Sequence, residues 1–250
     1  MIKLNNTAEQ IAVLWSGGLD STYLVYSALR AGSTVTPIYV QINNNCEKPA
    51  YEEIARKKIR ESFHRMALPG ILREDLKLNI GIKNLSDSRL LFMQMPIWII
   101  ATLYVNPSIQ KILIGYCMND DAVSYLAEIK KIYHSYKHLM SDKKMPKLGF
   151  PLSKIKKREM FIAMPEEISQ LTVFCENPTG KIDCGRCDSC ERYKHEDLFY
   201  RYTRNQLQKE ESLSIEPLKT PDLIGEKHLS VDDRIVHEVN HEVLTYPGFS

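Results

Sequence analysis

Apolar residues along the first half of the chain alternate between short continuous runs and helical spacing. Ile11-Ala12-Val13-Leu14-Trp15 is an apolar run that ends at Gly17-Gly18, the pattern of a buried parallel strand. From Ser21 to Arg30 the apolar positions recur at helical spacing, and Gly32 stops them. Val35 to Ile42 is rich in β-branched and aromatic residues and predicts the next strand. Tyr51 to Met66 predicts a charged amphipathic helix, Leu76 to Ile82 a third strand, and Met93 to Val105 a mostly apolar helix with Pro96 near its start. Ile112-Leu113-Ile114-Gly115 predicts a fourth strand, and Val123 to Leu139 another helix. This alternation predicts an α/β fold with a doubly wound parallel sheet. Near Pro165 the composition changes. Leu171-Thr172-Val173-Phe174 is strand-like and leads into a run of cysteines from Cys175 to Cys190, and after Tyr202 the chain turns polar, with Glu210-Glu211-Ser212 and several prolines.

The bulk numbers narrow the classes. At 250 residues the chain can bury a full core. A formal charge of +2 gives no electrostatic case for wrapping a duplex, and direct nucleic-acid binding is not expected, although Lys143, Lys144 and Lys147 cluster locally. Met1 to Asn6 lacks the apolar region of a signal peptide, and the longest apolar run, Ile97 to Val105, is too short to span a bilayer. The expectation is a soluble cytoplasmic protein. Six cysteines, three of them at two-residue spacing, point to a metal in a reducing compartment rather than to disulfides.

The first chemical signal is Ser16-Gly17-Gly18-Leu19-Asp20-Ser21-Thr22, between the first strand and its helix. A strand–turn–helix junction aims backbone N–H groups and the positive helix end at one spot, which favours phosphate. Gly17 and Gly18 let the backbone turn sharply, and the hydroxyls of Ser16, Ser21 and Thr22 offer further donors. Asp20 is an anion beside anions, and its presence makes sense if Mg²⁺ bridges it to the phosphates. No lysine occupies the loop, so it is not of the Walker type. An ordinary β–α turn with a serine cap is the plainer alternative.

The second signal is Cys175, Cys184, Cys187 and Cys190. Four thiolates close a tetrahedral shell around Zn²⁺ and leave no open position, so the ion is expected to be structural. Cys46 and Cys117 stand apart and are expected to be buried and not to bind metal. Nucleic-acid contact by the knuckle is disfavoured, because Arg186, Arg192 and Lys194 are offset by Asp183, Asp188, Glu191, Glu196 and Asp197.

The loop matches the SGGxDS signature of the PP-loop ATP pyrophosphatases. Joined to the cysteine pattern, it resembles the 7-cyano-7-deazaguanine synthase (QueC) family, over roughly Val13 to Tyr193. Weaker similarities are Tyr39-Val40-Gln41, Ile114-Gly115 with Asp120, and Pro151-Leu152 with Lys157 and Glu159. The resemblance implies a PP-loop ATP-binding domain over 1–165, a zinc-binding subdomain over 166–204 and an extension of unknown role over 205–250. It implies ATP, Mg²⁺ and Zn²⁺ as cofactors. ATP is expected against Trp15, Ser16, Gly17, Gly18, Leu19, Asp20, Ser21 and Thr22. Ser16, Asp20 and Lys157 are the candidate catalytic residues, and Asp20 and Asp120 the candidate Mg²⁺ ligands. Lys157 could equally be a solvated member of a charge run, and Asp120 a helix cap. The implied reaction adenylates 7-carboxy-7-deazaguanine, forms the amide with ammonia and then the nitrile, as in queuosine biosynthesis and related nucleic-acid modification. A homodimer is compatible with the sequence. Three departures stand out. Met95-Pro96-Ile97-Trp98-Ile99 lacks the family's Arg-Asn pair, Gln41-Ile42-Asn43 replaces Gln-Arg-His, and no Tyr-Pro-Asp-Cys occurs near Ser124-Tyr125-Leu126. They leave three alternatives open: a divergent ligase using another amine, with Trp98 stacking on the flat ring of the acid, a tRNA-modifying PP-loop enzyme, or a non-catalytic ATP-binding scaffold.

Overall fold

The computed structural model describes residues 9–43, 47–81, 94–118, 120–139, 145–178 and 183–195. Cys46, Lys143, Lys144 and the extension over 205–250 therefore lie outside the described residues.

Among the described residues six strands form one parallel sheet: β1 (Gln10–Leu14), β2 (Thr34–Asn43), β3 (Ile71–Leu72), β4 (Leu76–Gly81), β5 (Lys111–Leu113) and β6 (Lys147–Gly149). The order is β3-β2-β1-β5-β6, and β4 pairs further along the same edge of β2. Among the described residues seven α-helices accompany them, the last three in succession after β6: α1 (Leu19–Arg30), α2 (Lys48–Arg65), α3 (Gln94–Leu103), α4 (Leu126–Leu139), α5 (Lys157–Ala163), α6 (Glu166–Ser169) and α7 (Asp188–His195).

Side-chain parity explains the layers. Successive residues of a strand face opposite sides of a sheet. Ile11 and Val13 of β1, with Val35 and Leu113, pack against α1, α2 and α5 through Leu24, Ile59, Phe63 and Met160. Ala12, with Ile38, Ile112 and Ile114, packs on the other face against α3 and α4 through Trp98, Ile129 and Tyr133. Both faces of β1 are buried, which is why its sequence is continuous rather than alternating.

The structure departs from the sequence expectation at three places. Leu171–Phe174 is not a strand; Thr172 Oγ1 donates to the Ser169 carbonyl and the Val173 N–H to the Gly17 carbonyl, so the segment is tied to a loop instead of a strand edge. The helix expected over 123–139 starts earlier and in two parts, a 3₁₀ turn at Asp121–Tyr125 and then α4. The strands β3 and β6, only two and three residues long, were too short to leave a periodic signal.

The chain runs from β1 to β2 on one side and later places β5 on the other side of β1. The carboxyl ends of β1 and β5 therefore flank a topological switch point, where open α/β sheets bind ligands. Gly115, just beyond β5, makes this approach tight: a Cβ there would lie 3.0 Å from the Ser21 nitrogen and 3.1 Å from the Asp20 carbonyl carbon. Both neighbours are backbone atoms of the first turn of α1 and cannot swing away. Gly115→Ala is expected to lower stability by about 1–3 kcal/mol, measured by denaturant unfolding. An unchanged midpoint would show that the β5 end and α1 separate without cost.

Candidate functional site

The loop after β1 is built by local hydrogen bonds. Trp15 N–H donates to the Ile38 carbonyl at 2.8 Å and ends the strand pairing. Gly17 then adopts φ +89°, a left-handed conformation open to glycine, and a Cβ there would sit 3.1 Å from Arg56 Cγ. The Gly18 N–H donates to Ser16 Oγ at 3.2 Å, and Ser21 Oγ donates to the Gly18 carbonyl at 3.3 Å. Gly18 is the N-cap of α1, so the first-turn N–H groups of this 12-residue helix open at the loop.

Not every residue from Trp15 to Thr22 faces that opening. Trp15 and Leu19 are buried in the core, and Trp15 Nε1 donates to Thr22 Oγ1 at 3.0 Å in the interior. An indole N–H and a hydroxyl in an apolar layer must satisfy each other, and this pairing turns Thr22 away from the loop mouth. The side chains of Trp15, Leu19 and Thr22 thus support the loop from below. Ser16, Gly18 and Asp20 are the partly exposed members.

Asp20 meets two other parts of the chain. Lys157, at the start of α5, donates from Nζ to Asp20 Oδ2 at 2.5 Å and lies 3.8 Å from Asp120 Oδ1. Glu159 accepts the Lys156 N–H at 3.4 Å and fixes this first turn. Lys157 is buried, which excludes the solvated role. Burial opposes its charge, but Asp20, together with Tyr193, Asp120 and Cys117, outweighs that and holds its pKa above the ordinary lysine value. Asp120 stands at the N-cap position of the 3₁₀ turn without making a side-chain cap bond. Its Oδ2 instead accepts the Cys117 N–H at 2.8 Å, and its Oδ1 accepts Arg192 Nη1 at 2.7 Å. One carboxylate oxygen of Asp20, one of Asp120 and the Cys117 sulfur all lie within 4.8 Å of one another. Burial, reinforced by Asp20, pushes the Cys117 thiol up and keeps it protonated. The oxygen pair suits a hard divalent cation; the neutral thiol does not.

The cysteine cluster adjoins this centre. The sulfurs of Cys175, Cys184, Cys187 and Cys190 lie within 4.8 Å of one another, so the four residues can hold a metal ion. Gly185 turns the chain between them at φ +69°. Backbone N–H groups aim at the sulfurs, Cys184 N at Cys175 Sγ (3.2 Å) and Glu176 N at Cys187 Sγ (3.4 Å), as thiolates require. The cluster is bound to the loop at its N-terminal end and closed on itself at the other. Val173 donates to the Gly17 carbonyl, while Tyr193 of α7 stacks on Phe174 with centroids 3.8 Å apart.

Sequence reasoning did not find Arg192 as part of the site, nor a polar cluster on the opposite wall of the loop. There Tyr39 donates to Glu52 Oε2 at 2.8 Å, and the Arg56 guanidinium lies 3.6 Å from the Tyr39 ring centroid while pairing with Asp75. Burial pushes the Glu52 pKa up against the pull of Lys48. The Tyr39-Val40-Gln41 resemblance was the one available signal. Trp98 is 1% exposed and packs on Tyr133 within the second core layer. It is a core side chain, so the expected stacking platform for a flat ring is not there. Among the described residues no helix is long and apolar enough to cross a membrane.

The family model described as "Queuosine biosynthesis protein QueC" matches residues 10–196. The chain belongs to the QueC family. Its members are ATP-dependent PP-loop enzymes of the 7-deazaguanine pathway that act on small molecules. No curated protein matches the chain. Among solved structures, the U34-tRNA thiolase NcsA from Methanococcus maripaludis with its 4Fe-4S cluster is similar over 82% of this chain and 70% of that one, at 13% identity and a TM-score of 0.38. That likeness is too distant to carry an argument.

The Lys157 pairing yields a direct test. Lys157→Met leaves Asp20 beside Asp120 without the lysine that pairs with it and is expected to cost about 3 kcal/mol, or roughly 6–12 °C in Tm. Millimolar Mg²⁺ should restore part of the loss in this variant and much less in the parent. A variant as stable as the parent would show that Asp20 and Asp120 do not depend on the lysine.

Proposed function

We propose that the protein adenylates the carboxylate of 7-carboxy-7-deazaguanine and converts it with ammonia to the amide and then to 7-cyano-7-deazaguanine. The observation that carries this reading is the joining of Ser16–Thr22, Asp120 and Lys157 at one switch point in a chain of the QueC family. A carboxylate is a poor electrophile until one of its oxygens becomes a good leaving group. Attack of that oxygen on the α-phosphorus of ATP forms the acyl–AMP bond and releases pyrophosphate. Ammonia then attacks the carbonyl carbon, AMP leaves, and a proton passes to solvent. With a second ATP the amide oxygen attacks the α-phosphorus and displaces pyrophosphate, and loss of AMP and the two nitrogen-bound protons leaves the nitrile.

The residues present fit these demands. The α1 N-terminus, Gly18 and Ser16 orient the phosphates, and Lys157 neutralises charge on the departing pyrophosphate. Asp20 and Asp120 would hold Mg²⁺, which supplies positive charge to the triphosphate. Cys175, Cys184, Cys187 and Cys190 would hold a structural Zn²⁺. A tetrahedral shell with Zn–S of about 2.3 Å places thiolates about 3.8 Å apart, which supports a single ion within the compass of these sulfurs.

A second reading keeps the adenylation and changes the amine. The apolar Trp98 and Ile99 favour it, because they stand where the resemblance calls for Arg-Asn and lie within the core. Incubation with the acid, ATP and ammonia, or with a series of primary amines, distinguishes the two by product mass. The nitrile formed from ammonia supports the first reading and an amine conjugate the second; no turnover of the acid contradicts both.

Two variants test the parts. Asp20→Asn keeps the shape but removes the charge facing the cation, and is expected to lower pyrophosphate release by about a hundredfold or more without unfolding. Turnover equal to the parent would make Asp20 a turn residue only. Cys187→Ala leaves three ligands and is expected to lower bound zinc, measured by elemental analysis, together with Tm. A parent protein that is stable with no bound metal would contradict the zinc assignment.

A further inference from the structure

Asp20, Lys157, Asp120 and Arg192 form an alternating row of charges across the crevice, with contacts of 2.5 Å, 3.8 Å and 2.7 Å along it. In this state each cation faces a carboxylate and the row is neutral. ATP brings a polyanion to the loop end of the row, and a divalent cation that takes Asp20 and Asp120 removes the anionic partners of both Lys157 and Arg192. Two positive side chains are then left beside the phosphates.

Lys157 is buried on α5, but Arg192 is about one-third exposed and comes from a different part of the chain. It lies on α7, two residues beyond the fully buried Cys190. The next residue, Tyr193, is buried and stacks on Phe174. Phe174 lies between Val173, which binds the Gly17 carbonyl, and Cys175 of the cluster. The guanidinium is thus carried by a helix that holds Cys190 of the cluster and stacks on Phe174, the neighbour of the residue that bonds the Gly17 carbonyl. A surface arginine held only by Asp120 would lack this anchoring.

We propose that Arg192 is a polyphosphate-binding residue, delivered to the nucleotide site by the cysteine module, which exchanges Asp120 for the β- and γ-phosphates when Mg²⁺ and ATP bind. The inference rests on the reading of the loop as an ATP site. A planar guanidinium with several N–H donors matches phosphate oxygens in a way an ammonium does not. The exchange keeps Arg192 paired in both states, so the bound state leaves no orphaned charge.

The test uses the full-length, zinc-loaded protein and calorimetric titration with Mg²⁺ plus a non-hydrolysable α,β-methylene ATP analogue, and separately with AMP. Arg192→Ala is expected to weaken the analogue by about ten- to a hundredfold and to leave AMP within about twofold. Arg192→Lys, keeping charge without the planar fork, should recover only part of the loss. Bound zinc and Tm are measured for each variant. Equal weakening of analogue and AMP would overturn the proposal and make Arg192 a structural support for Asp120. So would unchanged binding of the analogue, or loss of zinc in both variants along with loss of binding. If the parent protein itself fails to bind the analogue, the ATP-site reading falls and this inference with it. A parent that binds while Arg192→Ala behaves like it overturns the inference alone.

Discussion

Two carboxylates, Asp20 and Asp120, bring oxygens within 4.8 Å of each other at the mouth of the loop proposed to receive phosphate. Like charges at that separation repel strongly wherever water is partly excluded, and an incoming polyanion makes the repulsion worse. The surrounding structure answers this constraint. Lys157 is carried into the protein on α5 to lie against both carboxylates. Arg192 reaches Asp120 from the other side on α7. Each cation requires its own element, and each element requires its own packing: α5 on α1 within the first core layer, α7 on the cysteine cluster and the Phe174–Tyr193 stack. The cysteine module and the glycine loop after β1 are therefore parts of one electrostatic unit although they lie far apart in sequence.

The sheet sets where this unit forms. β1 lies between β2 and β5, so the loops that follow β1 and β5 open into one crevice. Gly115 lets the β5 end lie against the backbone at the start of α1, and the Met118 N–H donates to the Ile155 carbonyl, which brings the turn before α5 to the same edge. A site assembled from four segments can hold its charges rigidly, because each is fixed by a different packing interface rather than by one loop. Rigid, preorganised charge is what stabilises a departing pyrophosphate without reorganisation at the moment of reaction.

What could be read from sequence was local or strongly periodic. The apolar run of β1 and the helical spacing of α1 are visible because both are buried on defined faces. The glycine loop after β1 and the four clustered cysteines stand out because both are short runs of fixed spacing. Arg192 was hidden because its partner is 72 residues away and its neighbours are acidic, so net charge around the knuckle looked cancelled. The Tyr39–Glu52–Arg56 cluster was hidden for the same reason: a long-range polar contact leaves no period. Leu171–Phe174 misled in the opposite direction. Its β-branched and aromatic residues suit a strand, but tertiary hydrogen bonds to Ser169 and Gly17 claim its backbone and side chains. Trp98 misled because an indole at a substrate-associated position suggested a stacking surface, whereas its volume fills the layer between β5 and α4.

The central claim is that this crevice joins a carboxylate oxygen to the α-phosphorus of ATP, and the fate of that oxygen tests it most directly. The account predicts that 7-carboxy-7-deazaguanine labelled with ¹⁸O in its carboxylate, incubated with ATP, Mg²⁺ and an amine, yields AMP carrying one heavy oxygen from the acid together with unlabelled pyrophosphate, both resolved by mass spectrometry. ADP and labelled inorganic phosphate as the products, or AMP that is formed without label, would contradict it.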